Sequence, residues 1–342
     1  MKNNRILPVF ISFAGCTYRC VYCNQHSITG VKPKSVSVSA KEQIKTALSY
    51  NIPYDEFAYY GGSFSCLPDN IRTELYSIAH ETGISKLRFS TSPDCINQKI
   101  IDEAVHNNVE VIELGVQSLS NSVLKLNKRP YDCDKCINSI KLIKDNIKNT
   151  GIQIMVGMYG ETAENFSETV DKLIKLKPDY VRIYPTVVLE DTELASLYRE
   201  GVYKPLSLWE SVARAAYAYI LFEAEGSNVI RVGLHDSEGV KSSAIAGAYH
   251  PSMGDMVKTV TLMIYYNSGF GLKIDKKYLN VAYGFKSALK DRAKVEIVDN
   301  IEPDFRNICR ILKENAGEDY KRKIQEQTNY FSERLIRQTN NG

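Results

Sequence analysis

The chain has 342 residues, 44% hydrophobic and 24% charged, the balance of a globular chain with room for one large α/β domain and an appendage. A net charge of +3 is too weak a bias to argue for nucleic acid by itself, and no run of about 18 apolar residues offers a membrane span. The first residues do not read as a secretion signal, so a cytoplasmic setting is expected, in which eight cysteines serve as thiols or metal ligands rather than as a disulfide framework.

In chain order, apolar and β-branched runs predict strands over 6–13, 56–60, 86–90, 109–116, 152–156 and 180–184. Amphipathic stretches between them predict helices over 40–50, 69–82, 98–107, 134–149 and 163–176, with Ser39 and Asn97 as helix caps. Strands joined by crossover helices make a parallel sheet, either an open doubly wound sheet or a partial barrel. Both gather chemistry at the carboxyl ends of the strands, where the notable motifs fall. These are 16–23, Gly61-Gly62-Ser63, Ser90-Thr91-Ser92-Pro93, Gln117-Ser118, 157–160 and Pro185-Thr186. Beyond 206 the pattern changes to a helix over 207–224, a short strand over 229–233, a loop with His235 and His250, a helix near 256–267 and a mixed basic end.

The densest chemistry is Cys16-Thr-Tyr-Arg-Cys20-Val-Tyr22-Cys23. Three thiolates on a four-iron cluster leave one iron without a protein ligand, much as a catalytic zinc keeps an open position. A zinc site completed by His26 is the alternative reading. The cysteine spacing, with Tyr22 before the last thiol, resembles the signature of the radical S-adenosylmethionine (SAM) superfamily. The resemblance implies that Cys16, Cys20 and Cys23 hold a [4Fe–4S] cluster and that SAM chelates the open iron. It further implies reductive cleavage of SAM to a 5′-deoxyadenosyl radical, with the electron coming from a donor of the flavodoxin or ferredoxin type.

Further matches follow in order. Tyr60-Gly61-Gly62-Ser63-Phe64 resembles the superfamily's Gly-Gly-Glu-type turn, whose backbone meets the methionyl group of SAM. Leu114-Gly115-Val116-Gln117-Ser118 with Arg129 resembles the SAM-contacting segment of oxygen-independent coproporphyrinogen oxidases. That family carries acids near Ser90 and Gln153; here neither position is acidic, and Ser90 or Thr91 is left as a partner for the ribose. The runs Gly157-Met-Tyr-Gly-Glu-Thr162, Ile183-Tyr-Pro-Thr186, Thr192-Glu-Leu194 and Tyr203-Lys-Pro205 resemble the radical SAM domain of the Elongator catalytic subunit. The gap between the first two cysteines is narrower here, and neither an acetyltransferase domain nor a Gly-rich acetyl-CoA loop is expected.

The resemblance implies a partial (β/α)6 TIM-like barrel over 1–230 and a mixed C-terminal region over 231–342 that covers its mouth. Tyr22, Gly61, Gly62, Ser63, Ser90, Gln117 and Arg129 are the SAM-contact candidates. No catalytic side chain is nominated. Modification of tRNA or another RNA is one expected activity, radical chemistry on a small molecule or peptide a second, and a non-enzymatic iron–sulfur or zinc module a third. Cys133 and Cys136 read as incidental thiols at a helix start, and Cys66, Cys95 and Cys309 as isolated thiols. Basic stretches around Lys286 and Lys290, interleaved with aromatic residues, leave room for an RNA surface.

Overall fold

A computed structural model describes residues 5–24 and 35–340. Its centre is a seven-stranded, wholly parallel sheet, curled into a half-barrel. The strands are β1 (Ile6–Phe10), β2 (Glu56–Tyr60), β3 (Leu87–Thr91), β4 (Val109–Gln117), β5 (Asn149–Val156), β6 (Tyr180–Pro185) and β8 (Asn228–Val232), paired in that order. The short strand expected near 229–233 is therefore a seventh member of the sheet, pairing with β6. β1 stops at Phe10 rather than at Phe13, because the chain turns sharply there and Phe13 adopts φ +58°.

The crossover helices are α1 (Val36–Ser49), α2 (Asp69–His80), α3 (Gln98–His106), α4 (Asn121–Leu126), α5 (Cys133–Asn146) and α6 (Ala163–Leu176). Asn97 caps α3 by accepting from the Ile100 N–H at 3.1 Å. Ser39 does not cap α1: the helix begins a turn earlier, after Ser35, and Ser39 accepts from Gln43 within it. Buried aliphatic and aromatic residues of the strands and of the inward helix faces form one core running from Leu7 to Leu335.

After β6 come β7 (Val187–Leu189), α7 (Glu193–Arg199) and α8 (Leu208–Ala224). Helix α8 is buried nearly all round, which explains its Ala-, Tyr- and Leu-rich sequence. It lies against α10 (Met253–Asn267), α12 (Phe305–Ala316) and α13 (Tyr320–Asn340). β7 pairs antiparallel with β9 (Ala244–Gly247), beyond the carboxyl end of β6. β10 (Leu272–Ile274) and β11 (Val295–Ile297) form a small parallel pair, and α9 (Glu238–Ser243) and α11 (Leu279–Tyr283) complete the elements.

Candidate functional site

The loop after β1 carries the three cysteines and rests on the turn after β2. Ser63 N–H donates to Ala14 O at 2.9 Å, and Phe13 N–H to Gly61 O at 3.0 Å. A Cβ on Gly62 would lie 2.5 Å from the carbonyl oxygens of both Ile11 and Ala14. The missing side chain thus lets the cysteine loop itself approach, rather than only a ligand. Cys16 Sγ lies 3.6 Å from Ser63 Oγ.

Cys16, Cys20 and Cys23 line one cavity of about 150 Å³ together with Tyr22, Gly61, Gly62, Ser63, Ser90, Gln117 and Arg129. Every site residue nominated from sequence therefore faces a single space, although they come from three strand ends and two loops. The three sulfurs do not draw within 4.8 Å of one another. His26, the alternative fourth zinc ligand, lies outside the described residues.

Arg129 is the centre of the cavity's polar wall. Its guanidinium donates to Cys20 Sγ at 2.8 Å, to Tyr22 Oη at 3.3 Å, to Gly115 O at 2.9 Å and to Tyr131 Oη at 2.6 Å. Burial opposes its charge, but the surrounding Tyr131, Tyr22 and Cys20 hold it well above the ordinary arginine range. Gln117 sits at φ +65° beside a register shift between Gly115 and Gln117. Such a bulge re-aims a side chain at a sheet edge, and here Gln117 accepts from Gln153 at 3.3 Å.

A second chamber of about 380 Å³ adjoins the first, and Tyr22, Cys23, Gly61, Ser90, Glu113 and Gln153 line both. Phe10, Tyr60, Met155, Tyr184 and Leu189 make its walls largely apolar and aromatic; Arg182 and His235 add polar groups. Partial burial and the neighbouring Arg231 and Arg182 charges lower the His235 pKa, so its imidazole is neutral at pH 7. His250 does not line the chamber: its Nδ1 accepts from Ser252 N–H at 3.1 Å and its ring packs edge-on against Phe285.

Sequence reading missed the ionic network in the barrel interior. Arg88 donates to both oxygens of Glu56 at 2.7 and 2.8 Å and to Glu113 at 3.0 Å. Arg182 donates to Glu113 at 2.5 and 3.1 Å and to Tyr60 Oη at 3.2 Å. Burial raises the Glu113 pKa, but the Arg182 and Arg88 guanidiniums prevail and hold it below the usual carboxylate range. The available signal was a charge at a sheet-interior position in each of four otherwise apolar strands.

The cysteine expectations divide. Cys133, Cys136 and Cys309 are free thiols, the last two buried. Cys66 and Cys95, read as isolated thiols, instead form a disulfide, because the turns after β2 and β3 lie side by side. No helix among the described residues is long and apolar enough to cross a membrane.

Comparison with known proteins bears on the family and the fold. Residues 10–173 match the Radical SAM superfamily and residues 178–261 the Radical_SAM C-terminal domain. A tRNA uridine(34) acetyltransferase of Methanocaldococcus infernus is 33% identical over 39% of this chain, which spans only 25% of that protein's length. An uncharacterized protein of Methanocaldococcus jannaschii is 31% identical over 58% of the chain and 66% of its own length. The solved structure of Methanocaldococcus infernus Elp3 lacking its N-terminus superposes with a TM-score of 0.62 at 20% identity, over 79% of this chain and 68% of that one, and shares the fold. The chain belongs to the radical SAM superfamily of enzymes.

Proposed function

We propose that Cys16, Cys20 and Cys23 bind a [4Fe–4S] cluster, that SAM occupies the adjoining cavity, and that the substrate is a base of tRNA entering the second chamber. The observation that carries this reading is the shared wall: residues nominated for the cofactors and residues of an aromatic chamber enclose two contiguous spaces. Cluster and SAM, when bound, supply a hydrogen-abstracting 5′-deoxyadenosyl radical. Arg129 orients Cys20 and presents charge to the cavity, Gln117 and Ser90 offer hydrogen bonds to SAM, and Gly61 and Gly62 fix the backbone beneath it. Tyr60, Phe10 and Tyr184 exclude water and offer flat faces to a planar ring. The likeness to a tRNA uridine(34) acetyltransferase supports RNA as the substrate class. A flavodoxin- or ferredoxin-type protein serves as electron donor.

Anaerobic reconstitution tests the reading. With a strong reductant the protein is expected to form 5′-deoxyadenosine from SAM, and total tRNA to stimulate it. Cys16→Ala, Cys20→Ala and Cys23→Ala should each lose both iron and product. Absence of product from the wild type defeats the enzyme claim; stimulation by a small-molecule extract but not by tRNA replaces the RNA substrate.

A further inference from the structure

The turns that leave β2 and β3 form both the floor of the cofactor cavity and a second cluster of metal-binding side chains. Cys66 ends the short helical turn Phe64–Cys66, and Cys95 ends the turn Pro93–Cys95. Each turn continues a segment that lines the cavity, Gly61 to Ser63 in one case and Ser90 to Ser92 in the other. The two cysteines are joined as a disulfide with their Cα atoms 5.2 Å apart. Asp94 stands beside them: one carboxylate oxygen and the two sulfurs all lie within 4.8 Å of one another.

The state of Asp94 is the second, independent observation. Its Oδ2 lies 3.6 Å from Cys95 Sγ, while its Oδ1 is buried without a hydrogen-bond partner. Lys135, which shares a surface groove with Asp94, donates instead to Ile96 O at 2.7 Å. A buried carboxylate oxygen without a donor is costly unless a proton or a cation meets it.

We propose that in the reduced protein Cys66, Cys95 and Asp94 ligate one divalent thiophilic cation of the zinc type, with water in the fourth position. Two electrons and two protons open the S–S bond to two thiols: a dithiol reductant supplies both and becomes a disulfide, whereas a phosphine supplies the electrons and water the two protons and the oxygen of the resulting phosphine oxide. Zinc binding then displaces both thiol protons to solvent. Zinc–sulfur bonds near 2.3 Å and zinc–oxygen bonds near 2.0–2.2 Å require ligand atoms roughly 3.5–3.8 Å apart; Asp94 Oδ2 already stands 3.6 Å from Cys95 Sγ, and the two sulfurs separate to that spacing once the S–S bond is open. The site is distinct from the cysteine loop after β1, and the disulfide is its oxidised, metal-free form. Either form ties together the two turns beneath the cofactor cavity.

The test uses the full chain carrying Cys16→Ala, Cys20→Ala and Cys23→Ala, which removes the other clustered thiols. After anaerobic phosphine reduction and dialysis against zinc, one equivalent should remain bound, and none without reduction. Cys66→Ser and Cys95→Ser should each abolish that equivalent, and Asp94→Asn should weaken it by at least the ~10-fold that even supporting residues are worth at metal sites. Cobalt(II) in the parent variant should give a thiolate-to-metal charge-transfer band, a readout that holds even if a serine variant fails to fold. No zinc uptake after reduction, uptake unchanged by Cys66→Ser or by Asp94→Asn, or a cobalt spectrum without thiolate character overturns the proposal.

Discussion

Gly62 carries no side chain because two carbonyl oxygens of the cysteine loop occupy the space a Cβ would need, each 2.5 Å away. Backbone cannot retreat as a flexible side chain can, so Gly62→Ala must shift the loop after β1 or the turn after β2. Overpacking of this kind costs about 1–3 kcal/mol, and the displaced loop also carries Cys16. Gly62→Ala is therefore expected to lower the melting temperature and to bind less iron on reconstitution than wild type. Wild-type iron content and melting temperature would show that the contact does not govern the loop. Residues of this kind were legible in the sequence because their relations are local. Cys16, Cys20 and Cys23 announce themselves by spacing, and Gly61-Gly62 by its place after a strand. Glu113 was not legible: its partners Arg88, Arg182 and Tyr60 come from three other strands, and nothing in its neighbourhood along the chain reports them. Cys66 and Cys95 were misread for the same reason, since 29 residues separate two turns that only the sheet brings together.

At the scale of elements, the segment between β5 and α6 is fixed by a buried carboxylate. Glu161 accepts from the Gly157 N–H at 2.7 Å and from Arg214 of α8 at 2.9 Å, while Tyr203 donates to Gly157 O at 2.6 Å. This joins the loop after β5 to the start of the C-terminal helices. Burial pushes the Glu161 pKa up to about 7, against the lowering pull of the Gly157 N–H and Arg214. The folded state thus holds this proton more tightly than the unfolded chain. Its stabilising contribution is complete below the unfolded value near 4.5 and is lost as pH rises through about 7. The span corresponds to a contribution on the order of 3 kcal/mol. Glu161→Gln keeps an acceptor for Gly157 and cannot ionise. The wild type should lose stability relative to Glu161→Gln between pH 5 and pH 8 in urea denaturation, and a constant difference would mean that Glu161 does not titrate there. The helix itself was read correctly over 163–176 from its apolar period. Its tie to α8 was not, because Glu161 and Arg214 lie 53 residues apart.

Across the whole molecule, the half-barrel is curled around charge rather than only around hydrocarbon. Glu56, Arg88, Glu113 and Arg182 come from β2, β3, β4 and β6, and their opposite charges balance inside the sheet. The Arg88 and Glu56 side chains are 7% and 4% exposed, so neither is solvated when its partner is removed. Such an array adds little net stability over a well-packed apolar one, but breaking one side of it is expensive, about 3–5 kcal/mol. It also holds Glu113 and Arg182 at the wall of the second chamber, linking barrel closure to the shape of the proposed substrate space. Arg88→Met leaves two buried carboxylates facing the single guanidinium of Arg182, and should destabilise the protein by about 3–5 kcal/mol in urea denaturation. Combining it with Glu56→Met removes a whole pair and should return much of that loss, a coupling read directly from the double-mutant cycle. If Arg88→Met instead costs less than about 1 kcal/mol, or the double variant loses the sum of the two single costs, the strands are held by their apolar faces alone and the network has no part in closing the barrel.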